Sequence, residues 1–472
     1  MTQRILPRSM FKKSKRSGTT PSSRQRGPTI SSLRKAFWPL VALLSPIVAL
    51  SIYFAGNWYS LLHDYSLGMV LGIFSYGYFL NALIISSRIR FFDRRYGHVD
   101  VLVFHGYLAV VAMLFAVGHR LLKSAYYREM STQIGFGVVG FYLFLAVVAL
   151  SVLFMDNRLL RRLKPFVALR RFGVGVLRLD YSLLKLFHNA TSVAALLVTV
   201  HVLMASSTRE DPLRIALMGG WAGVAGLMYL HHKAVRPFLA WRKGWRVTAV
   251  IPLTEAIVEL RMRRPGKPVG RRPGQFGYFR ILSRDCGSEE HPFTISSAPE
   301  NDELRITVKN LGDYSATLKH VCVGTKVMMD GPYGIFTPPV QPRPLLFIAG
   351  GIGITPFMSM VASWRHHTLE RPCTLIWSVR TAEELVRREL FDTTAKERAM
   401  FSFVPVVTRS VQPGFPYRRI DKRLLESHSP PALRKQMLVY LCGPESMQAA
   451  AAKYLKELGV PSGNIHREAF LR

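Results

Sequence analysis

Residues 101–119 read VLVFHGYLAVVAMLFAVGH, a run without Asp, Glu, Lys or Arg that is apolar on every face of a helix. Because about 20 apolar residues cross the hydrocarbon core of a bilayer as a helix, the run predicts a membrane span. A soluble helical bundle is the alternative, but its helices would each carry a polar face. Five further runs share these properties and predict an all-α six-helix transmembrane bundle over residues 36–232. The predicted spans are 36–55, 66–86, 99–121, 134–155, 183–205 and 213–231.

The charge of the chain is strongly positive and unevenly placed. Its 472 residues include 63 Lys and Arg against 29 Asp and Glu, a formal net charge of +34. The basic residues concentrate in a tail over 1–35, in the connections 87–98 and 156–182, and after the sixth span. This positive-inside pattern predicts a multi-pass protein of the plasma (cell inner) membrane, in contact with lipid and with both termini cytosolic. It accounts for most of the charge, so no nucleic-acid partner is needed. The tail has no Asp or Glu and is predicted to be disordered.

Two of the predicted spans each carry a pair of histidines. His105 and His119 are 14 residues apart, which places them about 40° from the same helix face and about 21 Å apart along the axis. His188 and His201 are 13 residues apart and would lie about 140° apart on an ideal helix, so the fifth span must bend, bulge or overwind for both to face inward. The third and fifth spans run parallel, which matches His105 with His188 near the cytosol and His119 with His201 near the outer side.

Ionisable residues inside membrane spans are costly and usually functional. A single intramembrane histidine is often a hydrogen-bonded packing residue, and a structural or channel protein would need all four to be of that kind. Two facing pairs, one in each leaflet, instead favour two bis-histidine haems. Zinc fits less well, since no Cys, Asp or Glu completes a site.

The chain changes character after the sixth span. Short β-type runs between Pro and Gly turns predict a β-barrel domain over 236–342, and strands alternating with helices predict an α/β domain over 343–472. The four cysteines all lie in this half without metal-binding spacing, and they are interpreted as reduced thiols.

Two motifs of the predicted barrel suit a flavin nucleotide. In HPFTIS (291–296), an aromatic residue followed by a hydroxyl residue could cover a flavin ring and hydrogen-bond to it, although an ordinary strand is the alternative. In KNLGDYS (309–315), Gly312 and Ser315 could let backbone and hydroxyl groups reach a pyrophosphate at a helix start.

Two motifs of the predicted α/β domain suit a dinucleotide. GGIGITP (350–356) follows the strand LLFIA and opens a helix at Pro356, the arrangement in which glycines let a phosphate approach a helix N-terminus. CGP (442–444) also follows a strand and opens a helix, as if it faced the same cleft. Phe470, two residues from the end, could stack on a ring or be a simple core aromatic.

Together these motifs resemble the membrane ferric reductase/NADPH oxidase family over roughly residues 36–472. The resemblance implies a six-helix di-haem domain followed by an FAD-binding barrel and an NADPH-binding α/β domain. It implies b-type haems, the inner one bound by His105 and His188 and the outer one by His119 and His201. The residues that it implies for FAD are His291, Pro292, Phe293, Thr294, Ile295, Ser296, Lys309, Gly312 and Ser315. Those that it implies for NADPH are Gly350, Gly351, Gly353, Thr355, Pro356, Ser378, Arg380, Cys442, Gly443 and Pro444, with Phe470 and Cys442 at the flavin–nicotinamide junction.

The function expected from this resemblance is that of an NAD(P)H-dependent oxidoreductase. Electrons from cytosolic NADPH would pass through FAD and both haems to an extracytosolic acceptor, either O2, which gives superoxide, or a ferric chelate. Superoxide-producing animal members have an Arg in the second span and a second His one turn beyond the outer-haem ligand. Here residues 66–86 contain no Arg, and Lys123 stands at the position of that second His. The alternative is a cytochrome relay that passes electrons to an extracytosolic protein, although the sequence does not require a protein partner.

Overall fold

The computed structural model describes residues 30–55, 63–126, 129–154, 181–266, 269–284, 286–287, 289–367, 371–409 and 419–468. Most of the predicted tail and Phe470 lie outside these residues. The first helix, α1, begins at Ile30, so the prediction of a disordered tail over 1–35 is wrong for residues 30–35. A helix keeps its backbone hydrogen bonds when it leaves a bilayer, so the apolar run marks the span and not the helix end.

Six helices of the described chain are long and apolar enough to cross a membrane, as the sequence predicted. Each begins and ends within a few residues of its predicted span, apart from the start of the first helix and the end of the sixth. Their segments, with the short helices between them, are α1 Ile30–Phe54, α2 Asp64–Ser86, α3 Arg90–Tyr96, α4 His98–Ser124, α5 Thr132–Phe154, α6 Tyr181–Asn189, α7 Thr191–Met204, α8 Ser206–Arg209 and α9 Pro212–Leu230.

The fifth span is broken between α6 and α7. The amide of Ala190 donates to the carbonyl of Phe187, three residues back, and the hydroxyl of Thr191 donates to the carbonyl of His188. These bonds tighten the turn where one helix segment ends and the next begins. The break interrupts the regular helix between His188 and His201, and each of these two imidazoles lies opposite a histidine of α4.

The sixth span continues beyond its predicted end at residue 231. A π-helical turn over His231–Val235 leads into α10, Arg236–Arg242, without interruption of the helical path. Pro237 lies in the first turn of α10, directly after the π-helical turn. This helix carries the chain directly to the first strand of the next domain, so residues 236–242 are helical and not part of the barrel.

The antiparallel barrel contains six strands in the order β4-β3-β6-β1-β2-β5. A bridge between Ile295, just after β4, and Ile306 of β5 joins the two edges and closes the sheet. The buried core inside includes Leu260, Phe279 and Ile306. The strands are β1 Trp245–Thr254, β2 Ile257–Arg263, β3 Phe276–Ile281, β4 His291–Thr294, β5 Leu304–Lys309 and β6 Lys326–Tyr333; α11, Asp313–Thr317, follows β5.

The last domain is a five-stranded parallel sheet in the order β11-β10-β7-β8-β9. The chain builds β7, β8 and β9 toward one edge and then returns to place β10 on the other side of β7. Ligands of such sheets bind where the strand order reverses, beyond the carboxyl ends of the strands, which here is between β7 and β10. The strands are β7 Leu345–Gly350, β8 Cys373–Val379, β9 Phe401–Val407, β10 Leu438–Cys442 and β11 Ile465–Glu468. The helices are α12 Thr355–Ser363, α13 Arg388–Glu397, α14 Lys422–Ser427 and α15 Glu445–Glu457. The predicted fold, an all-α bundle followed by an antiparallel barrel and a parallel α/β domain, is confirmed.

Polar contacts join the helical bundle to the barrel. The Tyr278 hydroxyl of β3 lies 2.7 Å from His98 Nε2 at the start of α4. The amide of Gly334, just after β6, donates to the Asp93 carboxylate of α3 at 2.9 Å. Both His98 and Asp93 are buried, so the end of the bundle at which α4 begins is packed against the barrel.

Candidate functional site

The structure places the His105 imidazole of α4 opposite the His188 imidazole of α6. Their ring centroids are 6.2 Å apart, with the ring planes inclined by 66°. His105 Nδ1 lies 3.0 Å from the carbonyl oxygen of Ala82 in α2. Since a carbonyl oxygen can only accept, Nδ1 carries the proton and Nε2 is left as a base. His188 Nδ1 lies 3.2 Å from the Ser151 hydroxyl of α5.

The second pair, His119 of α4 and His201 of α7, has the same arrangement. The ring centroids are 6.4 Å apart and the planes are inclined by 78°. His119 Nδ1 donates to the carbonyl of Gly68 at 2.7 Å, and His201 Nδ1 donates to the carbonyl of Gln133 at 2.9 Å. Each imidazole is therefore oriented by a backbone acceptor on a neighbouring helix, as is usual for histidines that bind metals.

Two glycines make room for the second pair. A Cβ at Gly72 of α2 would lie 2.6 Å from His119 Nδ1, and a Cβ at Gly137 of α5 would lie 2.6 Å from His201 Nδ1. Both distances are far shorter than a carbon–nitrogen contact allows. Larger residues at these positions would push the imidazoles away from their present orientations.

The separation of both pairs fits an iron atom held between two imidazoles. With metal–nitrogen bonds of about 2 Å and ring centres roughly 1.1 Å behind the bonded nitrogens, two axial histidines place their ring centres about 6.2 Å apart. The observed 6.2 and 6.4 Å agree with that spacing. Among the described residues, no group of three or more His, Cys, Asp or Glu is arranged to hold a metal ion. The pairs thus suit a metal whose other ligands come from a macrocycle, as in haem.

His98, the first residue of α4, is buried among the rings of Phe276, Tyr278 and Tyr333 of the barrel. Its Nδ1 lies 3.4 Å from the Asp93 carboxylate. No pattern within the sequence pairs residues 98 and 278, because only the packing of two domains brings them together.

The predicted flavin residues lie on β4 and on the segment that leads into α11. The ring of His291 stacks on that of Tyr314 with centroids 3.6 Å apart, and Phe293 lies nearly parallel to Tyr314. Burial lowers the pKa of His291, so its imidazole is neutral at pH 7. Pro292, Thr294, Ile295 and Ser296 complete the stretch, and the Ser296 hydroxyl lies 3.0 Å from that of Thr307.

Two polar residues of the KNLGDYS motif already have protein partners. The Ser315 hydroxyl accepts from the amides of Leu311 and Gly312, which caps α11. Lys309 Nζ lies 2.7 Å from the Glu384 carboxylate of the α/β domain. Lys309 therefore links the barrel to the nucleotide domain.

Arg271 is a candidate that the motif analysis missed. Its Nη2 donates to the carbonyls of Ala298 and Asn301, whereas its buried Nε and Nη1 have no hydrogen-bond partner among the described residues. Unpaired guanidinium nitrogens beside the predicted flavin strand fit an anionic pyrophosphate. The only sequence signal is a basic pair, Arg271-Arg272, before the Pro-Gly turn that opens β3.

The two glycine motifs of the α/β domain meet at the switch point of the sheet. A Cβ at Gly353 would lie 2.4 Å from the carbonyl oxygen of Cys442, and one at Gly443 would lie 2.9 Å from the backbone of Gly350. Gly351 and Gly443 have φ angles of +53° and +145°, a region that favours glycine. The GGIGITP and CGP loops therefore lie side by side, and α12 begins at Thr355 with Pro356 in its first turn. Pro444 directly precedes α15.

Further predicted residues surround this point. Ser378 of β8 is in register with Gly350, and Arg380 follows the same strand with an exposed side chain. Glu468, at the end of β11, is in register with Cys442. Burial raises the pKa of the Cys442 thiol, which keeps it protonated at neutral pH. Phe470 lies outside the described residues.

Comparison with known proteins agrees with this arrangement in the second half of the chain. Residues 242–337 match the FAD-binding domain family and residues 347–453 match the oxidoreductase NAD-binding domain family. Residues 242–453 form a ferredoxin-reductase-type FAD- and NAD-binding unit. Six long apolar helices precede this unit in the chain. No ferric reductase domain family matches the chain.

Individual relatives match the same half. The chain is 30% identical over 237 residues to the reductase component of propane 2-monooxygenase from Mycolicibacterium goodii, covering 48% of this chain and 66% of that protein. It is 26% identical over 239 residues to ferredoxin–NADP reductase B from Sorangium cellulosum, covering 96% of that protein. The chain spans just under two thirds of the length of the first relative. The chain is also similar to a crystal structure of a ferredoxin NADP⁺ reductase from Neisseria gonorrhoeae with bound FAD and NADP. The match covers 48% of this chain and 97% of that protein, at 23% identity and a TM-score of 0.42.

Proposed function

We propose that the protein transfers electrons from cytosolic NADPH through FAD and two b-type haems to an acceptor on the far side of the plasma membrane. The observation that carries the proposal is that two pairs of histidines occur in one chain with FAD- and NAD(P)H-binding domains. The ring centroids are 6.2 Å apart within the first pair and 6.4 Å apart within the second. The acceptor is O2, which gives superoxide, or a ferric chelate.

The histidines hold the two irons at different depths. His105 and His188 bind the inner haem, and His119 and His201 bind the outer one. Fourteen residues of α4 separate His105 from His119, a rise of about 21 Å. The inner pair lies toward the barrel, because α4 begins at the His98–Tyr278 contact. The Nδ1 atoms of His105, His119 and His201 donate to helix carbonyls, which leaves the Nε2 atoms of these three residues unprotonated and able to bind an iron.

The reductase unit supplies electrons on the cytosolic side. When bound, FAD accepts a hydride from NADPH and releases electrons one at a time, chemistry that no side chain provides. The β4 strand, Gly312 and Arg271 bind and orient the flavin nucleotide. The paired glycine loops and the N-terminus of α12 bind the pyrophosphate of the dinucleotide. Arg380 and Ser378 bind its 2′-phosphate, and Phe470 covers the flavin where nicotinamide must lie.

Purified protein in proteoliposomes tests the proposal. The expected results are a bis-histidine haem spectrum with two haems per chain and NADPH oxidation on the cytosolic face. Ferric citrate and O2 are then tested separately on the opposite face, with superoxide detection for O2. A double variant, His119→Ala/His201→Ala, serves as control: it should retain FAD reduction by NADPH and lose transfer across the bilayer. Parent protein that contains FAD but no haem would overturn the membrane part of the proposal.

A further inference from the structure

Lys123 is a buried lysine at the end of α4, one turn beyond His119. Only 9% of the residue is exposed, which is rare for lysine because its ammonium is strongly hydrated. Its Nζ has no hydrogen-bond partner among the residues that the structure describes. An ammonium buried without a counter-charge is costly, and within a membrane protein such a group indicates a function.

The lysine side chain lies beside the His119–His201 pair. Gly68 of α2 lies next to both His119 and Lys123. Its carbonyl accepts a hydrogen bond from His119 Nδ1, and a Cβ built on it would lie 3.3 Å from Lys123 Cε. The small residue at position 68 thus allows the lysine stem to pass next to the backbone that orients His119. The ammonium and the outer imidazole pair are therefore parts of one site.

The Tyr65 ring covers one side of the ammonium and supplies only part of its solvation. Nζ lies 2.9 Å from the centroid of the Tyr65 ring, a cation–π contact, and Tyr126 packs edge-on against that ring at 5.6 Å. The ring face can satisfy one side of a group that has three N–H donors. The low polarity of these rings would strengthen the attraction of an anion to the ammonium.

The protein itself offers no carboxylate for Lys123 at this end of the bundle. The undescribed connection residues here, 56–62 and 127–128, read GNWYSLL and YR and contain no acidic residue. The described acidic residues at this end are Asp64, Glu129, Glu210 and Asp211, and the last of these pairs with Arg214 at 3.2 Å. No carboxylate of the described chain is paired with Lys123 Nζ, which leaves the ammonium available to an anionic ligand.

We propose that Lys123 binds a ligand carboxylate at the outer end of the His119–His201 site, an inference that rests on the proposed function. A carboxylate can come from two sources there. One is a propionate of the outer haem, and the other is the carboxylate of a ferric chelate that receives the electrons. The first makes Lys123 a positioning residue for the haem, and the second makes it a determinant of acceptor specificity.

Three variants of the full chain test this site. Lys123→Met removes the charge at similar volume, and Lys123→Arg keeps it. Arg120→Gln is the matched control, because Arg120 lies one turn earlier on α4 but points at the rings of Phe141 and Tyr142 of α5. For each protein the measurements are haem per chain, the midpoint potential of the outer haem, and KM in proteoliposomes for ferric citrate and for the cationic hexaammineruthenium(III) complex.

The outcomes separate the two sources. If the partner is a haem propionate, Lys123→Met lowers the outer-haem potential or releases that haem, while the two acceptors change alike. If the partner is the acceptor, KM for ferric citrate rises about tenfold or more, as expected for a lost hydrogen bond to a charged group, and KM for the ruthenium complex does not rise. In both cases Lys123→Arg stays close to the parent.

The inference is overturned if Lys123→Met matches the Arg120→Gln control in haem content, potential and both KM values. It is also overturned if Lys123→Arg is impaired as strongly as Lys123→Met, since the charge would then not be the cause. Failure of the proposed function is a separate result, because the parent protein would then show no haem before any variant is compared.

Discussion

The guanidinium carbon of Arg88 lies 3.7 Å from the centre of the Tyr278 ring, although Arg88 belongs to the helical bundle and Tyr278 to the barrel. The same guanidinium lies 3.3 Å from the Glu290 carboxylate and 3.5 Å from that of Asp330. Arg88 has a φ of +49°, a conformation that costs a non-glycine residue about 1 kcal/mol or more. The domain contact thus holds both the side chain and the backbone of this residue.

Replacing Arg88 by Ala should therefore loosen the barrel from the bundle. Two carboxylates would lose their closest cation, and we expect the free energy of unfolding to fall by about 2–3 kcal/mol, since the pairs are not fully buried. A lower melting temperature and faster proteolysis near residue 243 would show it. Arg388→Ala is the control, because that residue forms an exposed pair with Asp392. Equal melting temperatures for the two variants would contradict the prediction.

Replacing single histidines should remove single haems. His105→Ala or His188→Ala should abolish the inner haem, and His119→Ala or His201→Ala the outer one, because each iron would lose one of two axial ligands. Haem per polypeptide and the low-spin spectrum measure the effect. His231→Ala, an exposed histidine outside both pairs, should keep two haems. Two bis-histidine haems in any of the first four variants would show that the assignment of that residue is wrong.

A methyl group at Gly353 should separate the two glycine loops. In Gly353→Ala, Cβ would meet the Cys442 carbonyl at 2.4 Å, and backbone cannot yield without moving the loop. We expect NADP⁺ affinity to fall at least about tenfold while FAD content stays unchanged. Gly463→Ala has open space around it and should bind NADP⁺ like the parent. Unchanged affinity in Gly353→Ala would place the nucleotide elsewhere.

The exposed guanidinium of Arg380 should select the phosphorylated dinucleotide. We expect the parent to prefer NADPH to NADH, and Arg380→Ala to lose about tenfold or more in kcat/KM for NADPH with little change for NADH. Steady-state reduction of FAD by each nucleotide measures this preference. Arg398→Ala is a suitable comparison, because Arg398 lies near the start of β8 and Arg380 follows its end. Equal use of the two nucleotides by the parent would rule out the assignment.

Glu468 should make stability depend on pH. Burial and the negative charge of Asp93 raise the pKa of its carboxyl to about 7, from an ordinary value of 4.5. The folded state then holds the proton more tightly than the unfolded state, so this stabilisation is complete below pH 4.5 and is lost as pH rises to about 7. Between pH 5 and pH 8, Glu468→Gln should lose about 1–3 kcal/mol less of its free energy of unfolding than the parent. Its melting temperature should therefore fall less over the same pH range.

Glu457→Gln, at an exposed residue paired with Lys422, provides the comparison for this pH effect. It should follow the parent at both pH values. A Glu468→Gln protein whose melting temperature falls as steeply as that of the parent would show that another group is responsible.

The sequence predicted those features that depend on residue type and spacing along one element. The apolar runs predicted six spans, and the strand–glycine–helix pattern predicted the place of GGIGITP, because both signals are local. It did not predict contacts that arise when domains pack, such as His98 with Tyr278 or Lys309 with Glu384, which are 180 and 75 residues apart. The end of the sixth helix was also missed, since the π-turn at His231–Val235 continues the helix beyond its apolar run.

The break at Ala190 has a consequence for what the fifth span can tolerate. Beyond it, α7 is an unbroken helix up to His201, and each residue added or removed would turn His201 by about 100° around the helix axis. A one-residue deletion among residues 191–200 would therefore point the imidazole into lipid or a neighbouring helix, even though the span would stay as apolar as before. In this segment the number of residues is expected to matter more than their identity. Exchanging one aliphatic residue for another should be far less harmful than shortening the chain by one.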